Sequence, residues 1–416
     1  MECLIGMHEM KKGRGMSTDF GIEHQIVQEK AAYLAAVRTR GAGKRIVVYG
    51  AGRYGRELAV RLAAHGIEVS GYAVTQAKYN QTQLRGLPVY ALAELLPKKE
   101  QLLFLIGVKE AMQGDIEKNL QKSGVTDYLL PPVHFTEMID GYFTRPVMEI
   151  TPKAGCSVDC RYCPQNLFLR RYFAEDRQAE MTFDEFRMYL DKMPQDIVVD
   201  FAGFVEPLLA KDGLRMVQYA HESGHDVRLF TTLVGLDRAS FREIEDIPFQ
   251  LVVLHLPDVH QYANIPVTDA YLALLRDVVA KTRPNGDPFV DMANCQAEPD
   301  PRVVEIIGHQ FPISWDLYDR AGNLSDEHLR SAKPHAEPIY CERSVRLDHN
   351  VLLPNGDVVL CCMDFGMTHV LGNLKRQSYD EIMQSEELAR IVAANGREGD
   401  ALCQKCTYAK EAGAIG

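Results

Sequence analysis

Cys156-Ser157-Val158-Asp159-Cys160-Arg161-Tyr162-Cys163-Pro164 decides how the rest of this 416-residue chain is read. Its spacing, C-x3-C-x2-C, delivers three thiols from one short loop. A cubane iron–sulfur cluster has four irons, so three thiolates leave one iron open to a ligand that is not protein. Such an iron can bind a small molecule directly and pass it an electron. The alternatives fit less well. Zinc wants a fourth thiolate or imidazole close by, and the loop holds none. A disulfide framework suits small secreted chains, not a long one that opens without an apolar signal core.

Working outward, 46% hydrophobic and 25% charged residues are the proportions of an ordinary globular protein, and the length suggests about three domains. A net charge of -11 argues against general binding to nucleic-acid backbones. No apolar run approaches the roughly 18 residues a membrane span needs, so no membrane partner is expected. The opening MECLIGMHEMKKGRGM is expected to be disordered, with Met16 a second potential start and Cys3 idle. Nearly all of the ten cysteines fall in two clusters, which points to metal ligation in a reducing cytoplasm.

The pattern divides into a flexible N-terminus and helix (1–40), a Rossmann-like unit (41–140), a central strand–helix unit (141–334) and a small C-terminal unit (335–416). The first helix is expected over Ile22 to Arg38. In the second segment a strand at Lys44 to Tyr49 runs into Gly50-Ala51-Gly52-Arg53-Tyr54-Gly55 and a helix from Arg56 to His65. Further strands are expected at Glu68 to Val74 and Leu102 to Val108, which makes the sheet parallel. Gly50 permits a tight turn, Gly52 close backbone approach, and Gly55 close packing of helix on sheet. The second strand ends without the acidic residue that would hold the ribose of NAD. In the third segment strands are expected at Val147–Thr151, Ile197–Ala202, Asp226–Thr232, Gln250–Leu256, Phe289–Ala293 and Ile313–Tyr318. Thr182-Phe183-Asp184-Glu185 reads as a capping box that starts one of the intervening helices.

The cysteine loop, with aromatic Tyr162 before its third cysteine and a strand just before it, resembles the cluster loop of the radical S-adenosylmethionine (SAM) superfamily. The resemblance implies an α/β protein with a partial (β/α)6 barrel. It implies a [4Fe-4S] cluster on Cys156, Cys160 and Cys163 whose open iron chelates SAM. Reductive cleavage would then yield a 5′-deoxyadenosyl radical, with the electron coming from an external donor such as flavodoxin or ferredoxin. Gly203-Phe204-Val205-Glu206-Pro207 resembles the superfamily's Gly-Gly-Glu-Pro segment, which holds the SAM amino group, although Val205 stands where glycine is usual. Thr232 matches a third-strand turn that contacts SAM. The N-terminal unit, including Leu84-Arg85-Gly86-Leu87-Pro88-Val89, is similar to the Rossmann-like domains attached to sugar-modifying acyltransferases. Such domains can hold a nucleotide or nucleotide-linked sugar; the alternative is a shell without ligand.

Cys341, Cys361, Cys362, Cys403 and Cys406 form the second cluster. Fourteen residues separate Cys341 from Gly356, and four separate Gly356 from Cys361, which resembles the opening of SPASM and twitch domains. Those domains hold auxiliary iron–sulfur clusters, and structural zinc is the competing occupant. Adjacent Cys361 and Cys362 point oppositely if extended, so one of them ligates; the spacing favours Cys361. Four thiolates from Cys341, Cys361, Cys403 and Cys406 would saturate an auxiliary [4Fe-4S] cluster, leaving it an electron relay or a brace. Cys295, His255, Asp291, Asp316, Asp319 and Arg320 lie at or just after central strands, where substrate binding competes with structural roles. The expected activity is radical dehydrogenation or epimerisation of a small polar biosynthetic substrate (a sugar, cyclitol or nucleotide-linked sugar). The alternatives are maturation of a precursor peptide and, from another class, a non-catalytic iron–sulfur scaffold.

Overall fold

The computed structural model describes residues 22–75, 82–108, 110–132, 145–174, 178–284, 286–308, 310–311, 313–314, 317–326, 329–397 and 399–411. Cys3, Met16 and Asp316 lie outside the described residues.

Alternation within β1 (Arg45–Tyr49) explains the first layer arrangement. Ile46 and Val48 pack on one face with Tyr33, Leu34 and Val37 of α1 (Ile22–Gly41) and Leu58 and Leu62 of α2 (Arg53–Ala64). Val47 and Tyr49 pack on the other face with Leu120 of α3 (Glu110–Lys122). β1 pairs in parallel with β2 (Gly71–Val74) and β5 (Leu102–Ile106). β3 (Gln83–Leu84), β4 (Leu87–Ala91) and β6 (Tyr128–Leu129) complete a sheet ordered β3-β4-β2-β1-β5-β6. The chain therefore steps outward from β1 on one side and returns on the other, which opens a crevice between β1 and β5 at the glycine-rich turn. α2 starts three residues earlier than expected from sequence, because the glycine stretch itself enters the helix.

Six parallel strands follow: β7 (Val147–Ile150), β8 (Val198–Phe201), β9 (Val227–Thr231), β10 (Leu251–Leu256), β11 (Met292–Cys295) and β12 (Ile313–Ser314). They neighbour one another in chain order and form an open arc. Helices α4 (Gln165–Phe173), α5 (Phe183–Leu190), α6 (Gly213–Glu222), α7 (Asp269–Ala280) and α8 (Pro301–Ile307) connect them. Parallel strands joined by helical crossovers are buried on both faces, hence their nearly unbroken apolar runs. The capping box at Thr182 is present: Glu185 N–H reaches Thr182 Oγ1 at 3.2 Å and Glu185 accepts from Thr182 N–H at 2.9 Å. β11 lies later than the expected Phe289–Ala293 because Asp291 is drawn into side-chain bonding, accepting Val252 N–H at 2.9 Å through Oδ2.

The C-terminal segment does not stand apart. After β13 (Ile339–Cys341), the hairpin of β14 (His349–Leu352) and β15 (Asp357–Val359) lays β14 parallel to β7. With β16 (Val370–Asn373) it extends the arc into a nine-stranded sheet. β13 pairs separately with β17 (Ala409–Glu411), and α9 (Glu386–Asn395) packs against β16.

Candidate active site and cluster-binding loops

The first cysteine loop begins where β7 ends and closes into α4, at the C-terminal edge of the parallel strands where such folds gather their chemistry. Gly155, at φ 105°, and Asp159, at φ 41°, curl the loop. The segment after β10 clamps it from outside. Arg161 N–H donates to Tyr262 O at 2.6 Å, Asn264 N–H donates to Val158 O at 2.7 Å, and the Arg161 guanidinium lies 4.5 Å from the Tyr262 ring centre. Tyr162 meets Tyr262 edge to face at 5.9 Å.

Cys156, Cys160 and Cys163 are all free thiols. Burial, then the neighbouring Cys163, pushes Cys160 up to about 12; burial pushes Cys163 up to about 11. Thiols so disfavoured as anions need a strong local positive charge to ligate, which a metal group supplies. Among the described residues, the sole trio of histidine, cysteine or acidic side chains with ligand atoms mutually within 4.8 Å is Glu149, Asp200 and His349. Neither cysteine set is that tight. A tetrahedral zinc site, with Zn–S near 2.3 Å, would hold its sulfurs about 3.8 Å apart.

The turn after β8 meets this loop. Glu206 N–H donates to Cys156 Sγ at 3.4 Å. Gly203 sits at φ 49°, and a β-carbon there would fall 2.3 Å from Thr151 Oγ1. The Glu206 carboxylate is 6% exposed and accepts four bonds from the protein itself: Thr231 Oγ1 at 2.9 Å, Thr232 N–H at 2.6 Å, Thr232 Oγ1 at 2.8 Å and Leu208 N–H at 3.3 Å. Burial raises its pKa against these donors. A carboxylate offers about four lone-pair directions, and here the turns after β8 and β9 use them. Glu206 thus braces the two turns, and Thr232 is one of its donors rather than a free group.

A cavity of about 870 Å³ opens above the strand ends, lined by the three cysteines, Tyr162, Gly203 and Glu206, with Thr232, His255, Cys295 and Arg320 on further walls. Burial, then nearby Arg320, holds His255 down to about 4, so its imidazole is neutral. Cys295 is 3% exposed, and its thiol faces Leu256 O at 3.7 Å; burial pushes it up to about 11. Asp319 is buried behind Arg320 and is not part of the lining, its N–H bonded to Arg330 O at 3.0 Å. Asp291 serves structure, paired to Arg283 at 2.6 Å and Arg56 at 3.4 Å. The trio of Glu149, Asp200 and His349 lies at the cavity floor side of β7, β8 and β14. His349 Nε2 is 2.8 Å from Glu149, Arg343 is 3.6 Å from it, and Arg228 sits in register with Asp200, so arginines offset these acids.

Two lining residues carried no sequence signal as site residues: Arg53 and Tyr54, at the start of α2 in the N-terminal unit. The glycine turn beside them is sterically strict at two positions. A β-carbon on Gly50 would meet Gly107 O at 2.5 Å and one on Gly55 would meet Gly50 O at 1.9 Å, whereas Gly52 has nothing within 4 Å. A buried ion-pair network fixes this unit to the strand arc: Arg85 Nε lies 3.0 Å from Asp287, and Arg56 lies 3.5 Å from Asp287.

The second set gathers around a cavity of about 40 Å³ lined by Cys341, Cys361, Cys362, Cys403 and Cys406. Cys361 packs with Cys403 and Cys406, while Cys362 packs with Cys163, Phe204 and Phe365 on the side of the larger cavity. The adjacent pair thus does diverge. Cys362 Sγ receives Arg343 Nη1 at 2.6 Å. Burial pushes Cys403 up to about 12 and raises Cys341, Cys361 and Cys406 as well.

Residues 341–407 match the SPASM family, an iron-sulfur cluster-binding domain. The match supports the iron–sulfur reading of that segment over the zinc alternative. No curated protein matches the sequence. Among solved structures, BtrN in complex with AdoMet and 2-DOIA is similar at 15% identity over 64% of this chain and 94% of its own, with a TM-score of 0.42. Streptococcus suis SuiB bound to precursor peptide SuiA is similar at 12% identity over 72% and 82%, TM-score 0.39. anSMEcpe with bound AdoMet is similar at 14% identity over 63% and 86%, TM-score 0.38. No described helix is long and apolar enough to cross a membrane.

Proposed function

We propose that this chain is a radical SAM enzyme that abstracts a hydrogen atom from a small polar substrate, with dehydrogenation or epimerisation as the outcome. The observation that carries the reading is the loop after β7: three free thiols lining a large cavity, tied through Cys156 to the Glu206 turn. Cys156, Cys160 and Cys163 would hold a cluster with one open iron; with SAM bound, that group would supply a 5′-deoxyadenosyl radical. The chain's own part is placement. Glu206 fixes the turns after β8 and β9, Gly203 lets backbone come close, and Tyr162 and Tyr262 close the loop against water.

Cys341, Cys361, Cys403 and Cys406 would hold the auxiliary cluster, with Cys362 left outside it. Phe365 packs with Cys163 and Cys362 and lies 4.2 Å from Phe204, ring centre to ring centre, which supports a short route for an electron leaving the substrate. A flavodoxin or ferredoxin would supply the first electron. Arg53 and Tyr54 put the N-terminal unit on the cavity wall, which we read as favouring a compact substrate over a precursor peptide. The test is anaerobic reconstitution, reduction and incubation with SAM. The wild-type protein should release 5′-deoxyadenosine, and the Cys156→Ala, Cys160→Ala, Cys163→Ala protein should not. Equal release from both would overturn the reading.

A further inference from the structure

Arg320 stands out among the residues lining the large cavity. Its backbone is left-handed at φ 53°, as is that of Ala321 at φ 54°, an arrangement that side-chain-bearing residues rarely adopt in succession. The surroundings hold it there: Asn323 Nδ2 donates to Arg320 O at 2.8 Å and to Met363 O at 3.2 Å, pinning the loop to the auxiliary domain. Strain kept in this way gathers at ligand-binding sites. Among the described residues the guanidinium has no carboxylate partner; its neighbour is the Phe365 ring at 5.7 Å. The nearest titratable ring, His255, is neutral. Two acids of the lining already face cations, Glu342 with Lys410 at 3.2 Å and Glu149 with Arg343 at 3.6 Å.

At another wall of the same cavity stand Arg53 and Tyr54, directly after a glycine turn built in the manner of phosphate cradles, with open space over Gly52. We propose that the substrate carries a phosphate or diphosphate, that Arg320 binds this anion, and that Arg53 and Tyr54 bring the N-terminal unit into the same pocket as specificity residues. This rests on the radical SAM reading and narrows its substrate to phosphorylated or nucleotide-linked compounds. An arginine fork pairs two donors with a phosphate's oxygens, and exclusion of water strengthens the bond. The cavity, about 870 Å³, is ample for more than one ligand.

The test uses the full-length, anaerobically reconstituted protein with SAM present, titrated calorimetrically with UDP, GDP, uridine, guanosine and glucuronate. At least one diphosphate should bind about tenfold or more tightly than its nucleoside. Arg320→Met and Tyr54→Ala should each weaken that binding about tenfold, and Arg320→Lys should recover part of it. Arg215→Met, which alters a cation over Phe183 away from the cavity, serves as control. Binding of neither diphosphate, equal binding of diphosphate and nucleoside, preference for glucuronate alone, or affinity unaffected by Arg320→Met would each overturn the proposal. Release of 5′-deoxyadenosine by the wild-type protein without any added nucleotide tests the radical reading separately, so the two failures are distinguishable.

Discussion

The amide of Glu206 points at the sulfur of Cys156, 3.4 Å away, while the Glu206 carboxylate accepts from both Thr231 and Thr232. One residue therefore joins the loop after β7 to the turns after β8 and β9. The carboxylate is surrounded by donors, so Glu206→Gln places an amide NH2 against hydroxyl and N–H groups. That change should cost about 1–3 kcal/mol in thermal or denaturant unfolding and weaken SAM binding. Unchanged stability with unchanged SAM affinity would show that the brace is dispensable.

Gly203→Ala should be the more disruptive of two glycine substitutions. Its β-carbon would fall 2.3 Å from Thr151 Oγ1 on a backbone at φ 49°. The expected loss is roughly 1–3 kcal/mol, read from the melting temperature of the full chain. Gly52→Ala, with nothing within 4 Å, should change stability little.

Iron counting separates Cys361 from Cys362. Wild-type protein should reconstitute with about eight irons, and Cys361→Ala with about four. Cys362→Ala should retain about eight, because its sulfur faces Arg343 and the larger cavity. Loss of iron from Cys362→Ala but not Cys361→Ala would reverse the assignment.

His349 gives stability a pH dependence. Burial, then Arg343, holds its imidazole down to about 4 from an ordinary 6.5, so the folded state keeps it neutral. Its contribution is fully present above pH 6.5, and it is lost as acid protonates the unfolded chain first, with the slope ending near pH 4. His349→Gln should flatten that part of the stability profile measured by denaturant unfolding of the apoprotein.

Asp287 is 1% exposed and serves both Arg56 and Arg85 from the N-terminal unit. Asp287→Asn should cost about 1–3 kcal/mol, because it leaves buried Arg56 with Asp291 alone at 3.4 Å and Arg85 with Glu57 alone at 3.3 Å. Calorimetry should then resolve two transitions in place of one, as the N-terminal sheet melts apart from the strand arc.

Much of this was legible in the chain because local chemistry announced it. Cysteine spacing marked both thiol sets, glycine spacing marked the turn at Gly50, and apolar runs marked four of the six arc strands closely, while β12 is the two-residue Ile313–Ser314 where Ile313–Tyr318 was expected. What escaped was long-range. Nothing near Arg85 signals Asp287, 202 residues away, and Arg53 reads as an ordinary residue between two glycines until the fold turns it toward the cavity. The start of β11 was misplaced for a related reason: Asp291 looks like a mid-strand residue, but the distant Arg56 and the nearby Arg283 both claim it. The bracing of Glu206 was hidden too, because Thr231 and Thr232, which give three of its four bonds, lie 25 and 26 residues along the chain.

Since β14 lies against β7 in parallel register, the strand that feeds the first cysteine loop has no free border. A chain cut after residue 334 would bare the hydrogen-bonding groups of Val147 to Ile150 along an apolar rim. Such a truncation would be sticky and prone to self-association, so the segment bearing the second thiol set could not be trimmed away to isolate the chemistry of the first.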